Sequence, residues 1–231
     1  MPIRPLHSWD LSPKEAIALQ KQLAAQVDTQ TPLANCQLVA GADVSYNRFS
    51  PICYAGVVVL RLPDLSVVEK QGAVSKMGMP YIPGLLSFRE APAILEALAK
   101  VRSKWDVLLM DGQGLAHPRR FGIASHVGLW LGRPTIGCGK SRLCGEFKRL
   151  REKAGAIARL VDDGDVIGMA VRTKSKVKPI FVSVGHRAEL GGAIKLVLSC
   201  CRGYRIPEPT RQAHLHVNEL RRQGIARRAG L

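Results

Sequence analysis

Trp105-Asp106-Val107-Leu108-Leu109-Met110-Asp111-Gly112 is a short apolar run that closes on an acid and a glycine. A run that is apolar at successive positions, rather than alternate ones, marks a strand covered on both faces, as parallel strands are. Residues 88–101 just before it read as a helix, with Ile94, Leu95, Leu98 and Val101 on one face. An acid at the carboxyl end of such a strand points into the crevice where α/β proteins bind ligands. A plainer reading stays open, because Asp-Gly is also a turn dipeptide.

Upstream, Leu38-Val39-Ala40-Gly41-Ala42-Asp43-Val44 reads as a strand with an acid inside it. Strands are depleted in Asp, and a buried carboxylate is costly unless a partner or a metal compensates it. The competing reading is an acid on the solvent face of an edge strand. Residues 54–62 and 67–74 read as two further strands, joined by the Pro63-Asp64 turn, so the first three strands form an antiparallel meander. Residues 11–27 read as a helix started by Ser12-Pro13, with Ala16, Leu19, Leu23 and Val27 at helical spacing.

Downstream, residues 123–131 read as a helix and 134–138 as a strand. Residues 147–161 carry no decisive pattern. Residues 179–184 read as a strand, and 193–201 and 211–221 as helices; the last ten residues are Arg-rich and expected to fray. A meander, a helix, then alternating strands and helices make an α/β fold, a mixed sheet of antiparallel meander plus parallel strands flanked by helices. That order resembles the ribonuclease H-like architecture, whose first catalytic acid lies on the first strand and another at the end of the fourth; Asp43 and Asp111 occupy those places. One domain is expected over residues 1–231, with a basic C-terminal tail after about residue 216.

The 231 residues include 34 Lys and Arg against 18 Asp and Glu, a net charge of +16. Such a balance attracts polyanions and speeds encounter with them. No basic amphipathic helix with a strong apolar face and no long apolar run is present, so a membrane is not the expected partner. Met1-Pro2-Ile3-Arg4-Pro5 lacks the apolar region of a secretory signal. The six cysteines form no CxxC pair, which argues against a zinc site or a disulfide framework and fits a cytoplasmic protein. Acids suited to a hard divalent cation, in a chain built to meet phosphates, point to a nuclease.

Other motifs carry two readings each. Ser87-Phe88-Arg89-Glu90 matches a capping box, in which Glu90 would only cap a helix. Pro92 opposes that, because a helix capped by Ser87 would hold Pro92 beyond its first turn; a helix starting nearer Glu90 would fit Pro92 and free Glu90 to face the strand acids. Pro80-Tyr81-Ile82-Pro83-Gly84 is a stiff loop that suits a wedge in a base stack, or a loop packing its Tyr on the core. His117-Pro118-Arg119-Arg120 reads as a phosphate contact or a solvated basic turn, and Cys138-Gly139-Lys140 as a strand tip presenting a cation. His214 and His216 follow Gly203-Tyr204-Arg205-Ile206-Pro207-Glu208-Pro209-Thr210-Arg211, and position alone supports neither.

These blocks, with Gly41-Ala42-Asp43-Val44, Met79 to Glu90, Asp111-Gly112-Gln113-Gly114, His117 to His126 and Pro134-Thr135-Ile136-Gly137, resemble the endonuclease V family from about residue 15 to 215. The resemblance implies a Mg²⁺-dependent DNA repair hydrolase, with Mn²⁺ able to substitute. It implies nicking at the second phosphodiester 3′ to deoxyinosine, leaving 3′-hydroxyl and 5′-phosphate ends. It makes Asp43 and Asp111 metal ligands and Glu90 the third acid, and it sets Lys140 and His214 beside the scissile phosphate. Tyr81 becomes the wedge, and Gly84, Leu86, Gly112, His117 and Gly122 the surroundings of the flipped base. The implied partner is single- or double-stranded DNA with deaminated bases, met by a monomer; inosine-containing RNA, or binding without catalysis, are the alternatives. The family usually has His where this chain has Gln113, which implies a changed rate or pH profile.

Overall fold

A computed structural model describes residues 5–48 and 50–229, with side chains described through residue 224. Its centre is one nine-stranded sheet. The strands are β1 (Leu38–Tyr46), β2 (Ile52–Arg61), β3 (Ser66–Lys76), β4 (Val107–Met110), β5 (Thr135–Gly139), β6 (Glu146–Phe147), β7 (Ile157–Asp162), β8 (Asp165–Val171) and β9 (Ile180–His186). Their spatial order is β3-β2-β1-β4-β5-β9-β8-β7-β6. Only β1–β4 and β4–β5 pair in parallel. The first five positions are the ribonuclease H-like arrangement expected from the element order.

Helices cover both faces. One face takes α2 (Leu86–Ala99) and α3 (Ile123–Leu131), which pack on Ala40, Ala42, Val57, Val59, Leu108 and Met110. The other takes α4 (Leu190–Ser199) and the first turns of α5 (Glu208–Ala229), over Val39, Val58, Leu60, Val107 and Leu109. Alternation along β1 and β4 therefore divides the two cores, and odd-numbered positions 39, 41, 43, 107, 109 and 111 share the α5 face. The first helix, α1 (Pro13–Ala24), starts at a Ser12–Glu15 capping box and packs against Met79, Leu85 and Phe88.

Three expectations change. The β7–β8 hairpin was not legible in residues 147–161, although Asp163 and Gly164 at its tip both take positive φ, +52° and +87°, as a tight hairpin turn requires. Its strands are half-exposed and interrupted by charges, so the alternation that marks a strand is blurred. The helix read over 211–221 is longer: α5 continues to Ala229, so the stretch after residue 216 extends the helix instead of fraying from residue 222. And α2 begins at Leu86, before either start considered for it, with Pro92 well inside. An interior proline removes one helix hydrogen bond at a cost of about 3 kcal/mol; eight other buried α2 residues, Phe88, Ala91, Ala93, Ile94, Leu95, Ala97, Leu98 and Ser87, anchor the helix regardless. Among the described residues no helix is long and apolar enough to cross a membrane.

Candidate active site

The parallel register sets Ala42 beside Met110, so the next residues, Asp43 and Asp111, stand side by side on one face. The Asp111 N–H donates to the Ala42 carbonyl (3.2 Å), which carries the pairing one step past β4. β1 lies inside the sheet between β2 and β4 and Asp43 is 8% exposed, so it is not an acid on the solvent face of an edge strand.

Glu90 enters from the opposite layer. The N-cap of α2 is Leu85, which caps with no side chain. Ser87 lies inside the first turn, and its hydroxyl pairs with His126 Nδ1 (2.9 Å). The capping-box role for Glu90 is thereby removed. Glu90 is 9% exposed and its carboxyl is pushed up to about 8, first by burial, then by the charges of Asp43 and Asp111. Asp43 is raised to about 6, by burial first and then by Asp111, against the opposing pull of Lys140 and His214. Three acids thus crowd one spot, and Asp43 and Glu90 are pushed toward their protonated forms there.

A lysine and a histidine face them. Lys140, the residue after β5, pairs its Nζ with Asp111 Oδ2. His214 Nδ1 lies 2.7 Å from Asp43 Oδ2, while Asp43 Oδ1 accepts the Val44 N–H (2.8 Å). His214 reaches Asp43 because α5 sits unusually close to the sheet. A Cβ at Gly41 would come within 2.0 Å of the Pro209 carbonyl oxygen, and one at Gly56 within 2.9 Å of Val217 Cβ. Gly56 is the β2 partner of Asp43. The missing side chains beside Asp43 are what admit the helix that carries His214.

Next to the acids lies a cavity of about 260 Å³. Asp111, Lys140, the expected wedge Tyr81 and the expected substrate contacts Gly84, Leu86, Gly112, His117 and Gly122 line it. Tyr81 stands 62% exposed, so it is not packed on the core. The loop behind it is clamped at one atom: the Gly84 carbonyl accepts from Gln20 Nε2 (3.0 Å), His117 Nε2 (3.1 Å) and Arg119 (2.7 Å). Gly84 itself takes φ +79°, a conformation glycine adopts without strain.

The same clamp revises the reading of His117-Pro118-Arg119-Arg120. His117 is buried, and burial followed by the charge of Arg119 pulls it down to about 4, so it is neutral. Its Nε2 donates to Gly84 and its Nδ1 accepts the Arg119 N–H (3.1 Å). Arg119 also donates to Gln20 Oε1 (2.6 Å), and Arg120 pairs with Asp162 (2.7 Å). These groups are engaged with protein atoms, so they shape the cavity wall rather than present free charge. Gln20, which sequence reading passed over, left one trace: it is a polar residue on the buried side of α1, beside Ala16 and Leu23. Gln113 donates to the Ser141 carbonyl (2.8 Å), while its Oε1 is buried without a partner.

Among the described residues no three His, Cys, Asp or Glu side chains are spaced to hold a metal ion as they stand, Asp111 being paired with Lys140 and Asp43 with His214. The donor chemistry nevertheless suits one. Carboxylates are hard oxygen ligands, and the repulsion and burial that raise Asp43 and Glu90 are what a divalent cation would relieve.

The family model for endonuclease V matches residues 20–215. An endonuclease V of Dehalococcoides mccartyi is 51% identical over 218 residues, covering 94% of this chain and 98% of that protein. The structure of endonuclease V from Streptomyces avermitilis aligns with a TM-score of 0.90 at 38% identity, covering 98% of this chain and 100% of that one. A Ciona intestinalis endonuclease V, solved with a 24-mer DNA containing an inosine followed by a ribo-adenosine, aligns with a TM-score of 0.79 at 28% identity, covering 91% of this chain and 98% of that one.

Proposed function

The chain belongs to the endonuclease V family, and from that premise we propose that it is a metal-dependent DNA repair endonuclease that nicks the strand at the second phosphodiester 3′ to deoxyinosine. The observation that carries this reading is the adjacency of three mutually repelling acids and a cavity capped by an exposed tyrosine. One feature can hold a phosphodiester while the other holds a base.

Asp43, Asp111 and Glu90 would hold Mg²⁺, with Mn²⁺ a substitute. Bound there, the cation supplies Lewis-acid polarisation of a phosphate oxygen and a more acidic water. For Asp111 to ligate, Lys140 turns from its carboxylate to the phosphate, where it offsets developing negative charge. Glu90 would orient the attacking water with its carboxylate and accept its proton. His214 sits on the far side of Asp43 and steadies that carboxylate. The P–O3′ bond breaks, and the products are a 3′-hydroxyl and a 5′-phosphate.

Recognition precedes chemistry. Extruding a base costs a few kcal/mol, and least at a weak pair, which favours inosine over a sound base. Tyr81 fills the gap in the stack. The cavity takes the hypoxanthine against a wall that Gly84, Leu86, Gly112 and Gly122 make largely of backbone, while His117 keeps the Gly84 carbonyl in place. Every group invoked comes from one chain, so a monomer suffices. The test is nicking of otherwise identical DNA and RNA strands carrying one inosine, with Mg²⁺ and with a chelator. Cleavage of the DNA only with Mg²⁺ is expected. Preference for the RNA strand would make the protein an endoribonuclease, and cleavage of neither would leave a binding protein.

A further inference from the structure

α5 and β1 meet as a ladder. Residues two apart on a strand are separated by about 6.6 Å and residues four apart on a helix by about 6 Å, so the two spacings stay in step for a short distance. Asp43 and Ser45 on β1 therefore face His214 and Asn218 on α5. Asn218 Nδ2 donates to the His214 carbonyl oxygen (2.8 Å) and lies 3.1 Å from His214 Nε2. Its Oδ1 accepts from the Ser45 hydroxyl (3.0 Å) and from Arg221 (3.2 Å). A second arm of the Arg221 guanidinium donates to Asn47 Oδ1 (3.1 Å).

A guanidinium can only donate, so the Asn218 atom facing Arg221 is the oxygen and the atom facing His214 is the nitrogen. The amide orientation follows from chemistry. His214 Nε2 must then accept, and the ring proton sits on Nδ1, aimed at Asp43 Oδ2. We propose that Asn218 is a positioning residue that holds His214 in the Nδ1–H tautomer and in the ring orientation that serves Asp43. Neither Asn218 nor Arg221 falls within the residues 20–215 matched by the family model. The proposal rests on the site reading above for its effect on rate, but not for the tautomer it specifies.

Ring ¹⁵N resonances of metal-free protein, with His214 assigned by its disappearance in His214→Gln, report the tautomer directly. Parent protein should show a protonated Nδ1 and an unprotonated Nε2. Asn218→Ala should move His214 toward the Nε2–H form. Asn218→Asp keeps the acceptor for Ser45 and Arg221 but loses both donors, so it should disturb the ring as Ala does while preserving the helix. Both variants should lower kcat on inosine DNA about tenfold, the scale of a lost outer partner of a site residue, with KM nearly unchanged. An unchanged tautomer in Asn218→Ala, or full kcat in Asn218→Asp, would overturn the proposal. If His214→Gln itself nicks normally, the site role of His214 fails instead, and the resonances still judge Asn218.

Discussion

Replacing Glu90 by Gln keeps the side-chain size and removes the one acid that the structure holds furthest from its ordinary behaviour. The Glu90 carboxyl, 4.5 when unperturbed, is pushed up to about 8 by burial and by its two acidic neighbours. Between those values the native state binds a proton that the unfolded chain has released. At that group the unfolded chain therefore binds fewer protons, and the contribution of Glu90 to metal-free stability falls as pH rises. The stabilisation is complete below the unfolded value and gone once pH passes about 8. Each pH unit in that window withdraws about 1.4 kcal/mol, less near its upper end where the native group also ionises. Asp43, raised only to about 6, has largely finished by then, and the buried histidines held below their ordinary value, His117 and His126 among them, act alike in parent and variant as pH rises, so the difference between the parent and Glu90→Gln from about pH 6 to about pH 8 isolates Glu90 and should be about 2 kcal/mol. Urea unfolding in the presence of a chelator, at pH steps across that interval, reads the quantity. The parent should fall relative to Glu90→Gln by that amount as pH rises, leaving the variant the more stable at pH 8 while inactive as a nuclease. Parallel curves for the two proteins would refute the placement of Glu90 among the acids. Adding a divalent cation to the parent should offset that relative loss, because binding releases the proton.

Asp43→Ala should lower nicking of inosine DNA by more than the roughly 100-fold typical of an outer partner, with lesion binding by gel shift retained; a variant that nicks normally would end the proposed metal assignment. Tyr81→Ala should weaken lesion binding by about 1–3 kcal/mol, the worth of one stacked base, and leave the acids' behaviour unchanged. Equal affinity in variant and parent would exclude the wedge. Gly41→Ala places a Cβ 2.0 Å from the Pro209 carbonyl oxygen, so α5 must lift. A stability loss of about 1–3 kcal/mol is expected by thermal unfolding, together with a fall in kcat as His214 leaves Asp43; a thermal midpoint and kcat equal to the parent's would show that the helix does not depend on that contact.

Legibility followed the kind of signal each element carries. Asp43 and Asp111 stood out because an acid at the end of an apolar strand breaks a local rule, and a broken local rule is visible in one dimension. Glu90 was ambiguous for the same reason: Ser87-Phe88-Arg89-Glu90 satisfies a local pattern that the folded chain does not use, since the Ser87 hydroxyl is taken by His126, 39 residues away. The β7–β8 hairpin hid its alternation behind surface charges, although its Asp163-Gly164 turn was in plain view. Gln20 and Asn218 are ordinary polar residues on helices, and nothing local separates them from solvated ones.

The sequence by itself determined most of the element order, the mixed sheet, the basic character and the two strand acids, because each follows from periodicity, composition or a residue type that its surroundings would not otherwise tolerate; Glu90 entered only through the family resemblance. Only the tertiary structure decided which of them meet. Strand register put Asp43 beside Asp111, glycines opposite α5 let His214 approach, and burial in company raised the Asp43 and Glu90 carboxyls far above their ordinary range. Those outcomes depend on distances between residues far apart in the chain, and electrostatic and packing energies are functions of distance in space, not of position along the chain.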